Sequence, residues 1–124
     1  MAKISTIPLF KNLSLSAGDS GTSDPIELRY TANQGYFSLF YSIAAGTFGT
    51  CGTTTFSYKA SAFRDGVFVD PSSGGTFGTA GSATNLALIS FAPKLTPWMK
   101  IVATQTGSGT NGADSKITAE LNMQ

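Results

Sequence analysis

Apolar and polar side chains alternate with a period of two over several stretches of this chain, which restricts those stretches to extended structure. In residues 116–123 every odd position is apolar and every even position is polar. Residues 53–61 and 36–43 alternate in the same way, and the second stretch also carries Tyr36 and Phe40 on its other face. Successive side chains of a strand point to opposite faces, and no stretch keeps a helical apolar stripe. The pattern predicts half-buried strands, and the face of Tyr36 and Phe40 requires cover by another sheet, an arm or a partner.

Turn-forming residues divide the chain into about eight short strands, a number and spacing typical of a β-sandwich or jelly roll. Asp65-Gly66 is a strong hairpin signal, because glycine tolerates a positive φ. The sequence therefore predicts an all-β fold, specifically an antiparallel β-sandwich that resembles a jelly roll. The predicted strands are residues 13–16, 26–30, 36–43, 53–61, 67–69, 86–91, 98–105 and 116–123.

The length of 124 residues fits one domain, with a distinct segment at its start. Residues 1–12 contain several large apolar side chains and Pro8 before the first clear turn. They form either an edge strand of the domain's own sheet, which we prefer, or an arm that reaches a neighbouring molecule. Residues 13–124 form the single β-sandwich domain.

The chain is poor in charge, which narrows the choice of partners. Charged residues make up 12% of the sequence, about half the usual fraction, and the net charge is +1. The basic residues are scattered, so nucleic acid is excluded as a partner. A nearly neutral surface repels its own copies weakly and favours assembly. We identify no signal peptide and no membrane span, and we expect synthesis in a cytoplasm.

The residue types present leave little room for catalysis. The chain has no histidine, so the commonest general base and metal ligand is missing. Cys51 is the single cysteine and has no base near it in sequence. Only a pair of carboxylates could act as acid and base, and Asp65 and Asp70 bracket a short predicted strand that would hold them apart. We therefore expect no enzymatic activity, no cofactor, no metal and no small-molecule substrate.

A five-residue sequence, Gly-Thr-Phe-Gly-Thr, occurs twice, at residues 46–50 and 75–79. Each copy places one aromatic ring, Phe48 or Phe77, among residues too small to bury it locally. Either these rings fold back over the open end of the sandwich, which we prefer, or they are presented to a partner. Tyr36 and Phe40 likewise suit either packing or a sugar-binding platform.

Four further stretches share a recognisable character: residues 23–29 (SDPIELR), 34–39 (QGYFSL), 61–66 (SAFRDG) and 91–101 (FAPKLTPWMKI). Together they resemble the small all-β virion structural proteins of tailed bacteriophages and prophages. The resemblance covers roughly residues 15–123 and consists of spacing and residue character, without a catalytic motif.

The resemblance implies a virion component that is made in the host cytoplasm. We expect a capsid decoration (cement) protein whose partners are its own copies, the major capsid protein, or both. The alternatives are a tail or fibre part and a receptor- or carbohydrate-binding module. Removal of residues 1–12 is expected to leave a folded domain that assembles poorly. The candidate contact residues are Ile4, Ile7, Leu9, Phe10, Tyr36, Phe40, Phe48 and Phe77.

Overall fold

The computed structural model describes residues 5–16, 18–28, 37–45, 53–72, 74–80, 84–93, 96–105 and 114–123. These residues form nine strands and no helix. The strands are β1 (Ser5–Ser16), β2 (Ser20–Thr22), β3 (Ile26–Glu27), β4 (Phe37–Ala45), β5 (Thr54–Ser61), β6 (Thr76–Ala80), β7 (Thr84–Phe91), β8 (Trp98–Gln105) and β9 (Asp114–Met123).

The strands form two antiparallel sheets that pack face to face. The first sheet has the order β1-β9-β4-β7 and the second the order β2-β8-β5-β6. Strand β3 also pairs with β8, so β2 and β3 act as one interrupted strand along the same neighbour. The pairs β1–β9, β2/β3–β8, β4–β7 and β5–β6 are therefore nested within one another, which is the jelly-roll arrangement. The predicted all-β sandwich is confirmed.

The core lies between the two sheets and consists of the side chains that the alternation assigned to the inner faces. Strand β9 contributes Ile117, Ala119 and Leu121, all fully buried, and the polar side chains that alternate with them, from Lys116 to Asn122, lie on its other face. Tyr41 of β4 and Phe56 of β5 meet across the sandwich with ring centroids 4.9 Å apart. Aromatic pairs at such distances contribute beyond their buried area. The remaining fully buried apolar residues are Leu39, Met99, Ile101 and Ala103.

Strand β1 is an edge strand of the chain's own sheet, which is the first of the two alternatives for the N-terminal segment. It pairs with β9 from Ser5 to Ser16 and continues through position 12, where the sequence suggested a division. Pro8 is tolerated because an edge strand has one side without a ladder. Two bulges interrupt the register, and Asn12 in the second has a φ of 52°. Asparagine adopts this left-handed conformation more readily than most residues.

The structure differs from the predicted strands at three places, the first of which is the short strand β2 (Ser20–Thr22), which was not predicted. Residues 67–69, predicted as a strand, form only one bridge, between Ala60 and Val69. Strand β5 ends at Ser61, so Ala60 lies next to the end of the strand and little of β5 is left for this segment to pair with. Strand β6 was assigned to a Gly-rich loop and is instead a strand paired with β5. Its glycines have no side chains and so obscure the alternation of apolar and polar residues. Pairing with β5 makes the segment a strand.

Candidate interaction surface

The predicted contact residues of the N-terminal segment belong to the domain interior. Phe10 is 8% exposed and is part of the core, while Ile7 and Leu9 are half-buried and pack against it. The expectation that Phe10 meets a partner is corrected here, because β1 needs this ring to close the sandwich over its own sheet. Ile4, Tyr36 and Phe48 lie outside the described residues.

Phe77 folds back over the sandwich and is not presented to a partner. It is the extra residue of a bulge, because Phe56 pairs with Gly78 and Ser57 pairs with Thr76. Its ring stacks on Phe91 of β7 with centroids 3.9 Å apart and planes 11° apart. Its neighbour Gly78 faces Ile89 so closely that a side chain there would overlap the isoleucine. The ring therefore joins the open sides of the two sheets at β6 and β7.

Among the predicted contact residues that the structure describes, Phe40 is the one with an exposed side chain. It is 38% exposed on the outer face of the first sheet, directly opposite Leu88 of β7. Leu88 is 61% exposed, and Leu86, two residues earlier in β7, is 60% exposed. We call Phe40, Leu86 and Leu88 the outer patch. Contiguous exposed apolar groups of this kind mark interaction surfaces more often than single exposed leucines do.

The outer patch lies at the edge of its sheet. Among the described residues β7 pairs only with β4, so its other edge has no strand partner. None of the eight residues of β7 is charged, and none is proline. Native edge strands usually carry such residues or bulges, which prevent pairing with another chain. β7 has one of these devices, a bulge near its start, where Leu86 has a φ of 42°.

A second apolar surface lies on the loop that connects β5 and β6. Phe63 is 73% exposed, Val67 is 82% exposed, and Val69 is also exposed. We call these three residues the loop tip. The loop is held in place locally, because the Phe63 amide donates to Ser61 Oγ (3.1 Å) and the Gly66 amide donates to the Phe63 carbonyl (3.2 Å). Its apolar side chains are thus exposed on an ordered turn.

Charges beside the loop tip comprise two ion pairs and Lys100, whose Nζ lies 4.4 Å from the centroid of the Phe68 ring. Arg64 Nη1 lies 3.2 Å from Asp65 Oδ1, and Lys59 Nζ lies 3.9 Å from Asp70 Oδ1. The side chains are largely exposed, so these pairs contribute little to stability. Because most of these charges are paired, the loop tip has little net charge with which to select an oppositely charged partner.

Three of the described acidic residues serve turns and surface pairs. Asp19 Oδ2 accepts a hydrogen bond from the Ser16 amide (3.3 Å), and Asp65 and Asp70 pair with cations as given above. Within the described ranges no group of three or more His, Cys, Asp or Glu side chains could hold a metal ion. The deepest polar contact joins two uncharged groups, with Gln105 Nε2 donating to Ser115 Oγ (3.0 Å).

Sequence reasoning found Phe40 but missed the other exposed apolar residues. A signal for the outer patch was present in residues 86–89, Leu-Ala-Leu-Ile, which are apolar on both faces. For the loop tip the signal was misread, because Val67 and Val69 were assigned to a strand with a buried face.

No helix in the described part of the chain is long and apolar enough to cross a membrane. The chain matches no known family and no curated protein.

Proposed function

We propose that this chain is a virion structural protein of a tailed bacteriophage or prophage, and that it decorates the capsid by binding the lattice of the major capsid protein. The observation that carries the proposal is the loop tip, an apolar surface on an ordered turn beside two ion pairs and Lys100. The resemblance of four sequence stretches to such proteins supports the same class.

The fold is compatible with this role. Jelly rolls form viral capsid domains and also lectin domains, so the architecture supports the proposal by analogy alone. A capsid lattice repeats one binding site many times, so a decoration protein needs one surface that fits that site. Burial of Phe63 or Val67 would contribute roughly 1.5–3 kcal/mol each. A small domain with one apolar tip meets that requirement.

The proposed role is non-enzymatic. Asp65 and Asp70 are paired with Arg64 and Lys59 on the surface, and Asp19 binds a backbone amide. A pair of carboxylates that work as acid and base needs a shared cleft and a separation suited to its substrate. We assign these acids to turns and surface pairing instead.

The test uses particles purified from induced cultures of the organism that carries the gene. Mass spectrometry of the particles is expected to detect the protein in many copies. Purified protein is then added to particles that lack it, and co-sedimentation is measured. Val67→Lys is expected to weaken co-sedimentation at least tenfold, because it places a charge in the contact. Ser14→Lys, on an exposed position of β1, is the matched control and is expected to bind normally.

Two results would contradict the proposal. Complete particles without the protein would remove the virion role, and equal binding by Val67→Lys and the control would remove the loop tip as the contact. Sedimentation with isolated tails would favour the tail or fibre alternative. Binding in a glycan array would favour the carbohydrate-binding alternative. Phe40 lies between the apolar Leu88 and the charged Glu120 on the outer face.

A further inference from the structure

The two edges of the first sheet differ in their fitness to accept another strand. At one edge β1 carries Lys11, Pro8 and two bulges, which are devices that prevent strand addition. At the other edge β7 carries no charge and no proline, and its bulge is confined to its first residues. From Ala87 to Phe91 its register with β4 is regular. This edge can therefore extend the sheet.

The chemistry of β7 specifies what can cover it. An added strand must supply backbone donors and acceptors, must be uncharged where it lies beside β7, and must bring apolar side chains to the outer face beside Leu88. Strand β7 of a second copy satisfies all three conditions. In an antiparallel pair no like charges meet along the contact, because β7 has none. Leu86 and Leu88 of one copy then lie beside Leu86 and Leu88 of the other.

We propose that two copies of this chain associate through their β7 strands, which joins the two four-stranded sheets into one continuous eight-stranded sheet and brings the apolar outer faces of the two β7 strands side by side. The pair has two-fold symmetry, so each copy uses its β7 edge and neither β7 edge remains free. Because β1 at the far edge is protected, the assembly stops at two copies and does not grow into a fibre.

This association deepens the proposed function and rests on it for its biological setting, since a decoration protein gains avidity from linked copies. It concerns a different surface from the loop tip. Its test therefore uses the pure full-length protein without virions, and failure of one proposal leaves the other standing.

Sedimentation equilibrium measures the mass of the purified protein over a range of about 1–100 µM, where contacts of this modest size dissociate. The wild-type protein is expected to move from monomer to dimer within that range. Leu88→Lys is expected to raise the dimer dissociation constant at least tenfold, because it places a lysine of each copy at the paired edges, where like charges repel and oppose strand addition. Val67→Lys changes a more exposed aliphatic residue outside the patch and is expected to dimerise normally. Far-UV circular dichroism verifies that each variant is folded.

Spin labels locate the contact independently of affinity. A nitroxide is attached at Leu88→Cys in a Cys51→Ser background and, in a second protein, at Ser14→Cys on the opposite edge. Antiparallel pairing of β7 is expected to place the two labels at position 88 within roughly 20 Å, because paired strands lie about 4.8 Å apart. Labels at position 14 are expected to lie much farther apart.

A wild-type protein that stays monomeric throughout the range overturns the proposal. A dimer that Leu88→Lys leaves intact also overturns it, as does a short distance between labels at position 14 with a long one at position 88. Assemblies larger than two would contradict the protection assigned to β1.

Discussion

At the scale of single residues, the same type of side chain has opposite roles in different places. Phe77 lies in a Gly-rich segment and is nevertheless packed, because it stacks on Phe91 across the gap between the sheets. Phe63 lies beside an equally clear turn and is exposed. Neither local sequence nor hydropathy separates the two rings. What separates them is whether another strand passes beside them.

Phe77→Ala is expected to lower the free energy of unfolding by about 2–3 kcal/mol, because it removes a half-buried ring and its stack on Phe91. Urea denaturation followed by circular dichroism measures the change. Phe63→Ala is the matched control and is expected to change stability by less than about 0.5 kcal/mol, since its ring is exposed. Equal losses in the two variants would contradict the packing of Phe77.

Gly75→Ala is expected to destabilise the protein by about 1–3 kcal/mol, because an added methyl group would overlap the backbone of Tyr58. The contact is close since the Tyr58 amide donates to the Gly75 carbonyl (3.0 Å) where β5 and β6 meet. Thermal unfolding compares this variant with Thr76→Ala, whose side chain is exposed. A melting temperature unchanged in both variants would show that the backbone moves apart without cost.

At the scale of elements, the two edges of the first sheet decide which strands are structural and which can bind. Strand β1 contributes Phe10 and Leu15 to the core and covers one side of β9. Strand β7 contributes Ile89 and Phe91 to the interior and leaves Leu86 and Leu88 outside. The N-terminal segment is therefore part of the fold, and β7 is the edge available to a second copy.

Removal of residues 1–12 is now expected to abolish cooperative unfolding or to cause aggregation, contrary to the sequence-based expectation of an intact domain. The truncation removes Phe10 from the core and leaves most of β9 without its neighbour. Thermal melts by circular dichroism measure the loss. Lys11→Ala, an exposed change within the same segment, is expected to melt like the wild type. A cooperative transition in the truncated protein would restore the arm interpretation.

At the scale of the whole molecule, the topology joins the two ends of the chain. Ser5 pairs with Met123, and β2 and β3 pair with β8, so the strand pairs of the jelly roll are nested around the central β5–β6 pair. Bringing such distant segments together lowers the entropy of the chain, and burial of the apolar core offsets this loss only after the contacts have formed. The molecule holds together through contacts between residues far apart in sequence.

Refolding is therefore expected on a timescale of roughly milliseconds to seconds, as for other folds dominated by distant pairing. Stopped-flow dilution from urea, monitored by the fluorescence of Trp98 in β8, measures the rate. The β5–β6 pair is the most local of the nested pairs, so Gly75→Ala is expected to slow refolding if this pair forms early. Refolding within microseconds would be inconsistent with the observed strand order.

The sequence by itself determined which face of most strands is buried. Alternation in residues 36–43, 53–61 and 116–123 assigned the inner side chains correctly, because burial acts on each strand with a period of two that needs no knowledge of its neighbours. The all-β class follows from the same local signal, and so does the division into short strands by turns.

Only the tertiary structure decided which apolar residues remain outside. Strand β6 exists because β5 pairs with it, Phe77 is packed because β7 passes beside it, and Phe40 and Leu88 are exposed because no other described segment covers the outer face of their sheet. Each outcome depends on the strand order, which is set by contacts between segments far apart along the chain. A local pattern cannot carry that information, since the same alternation fits a central strand and an edge strand equally well.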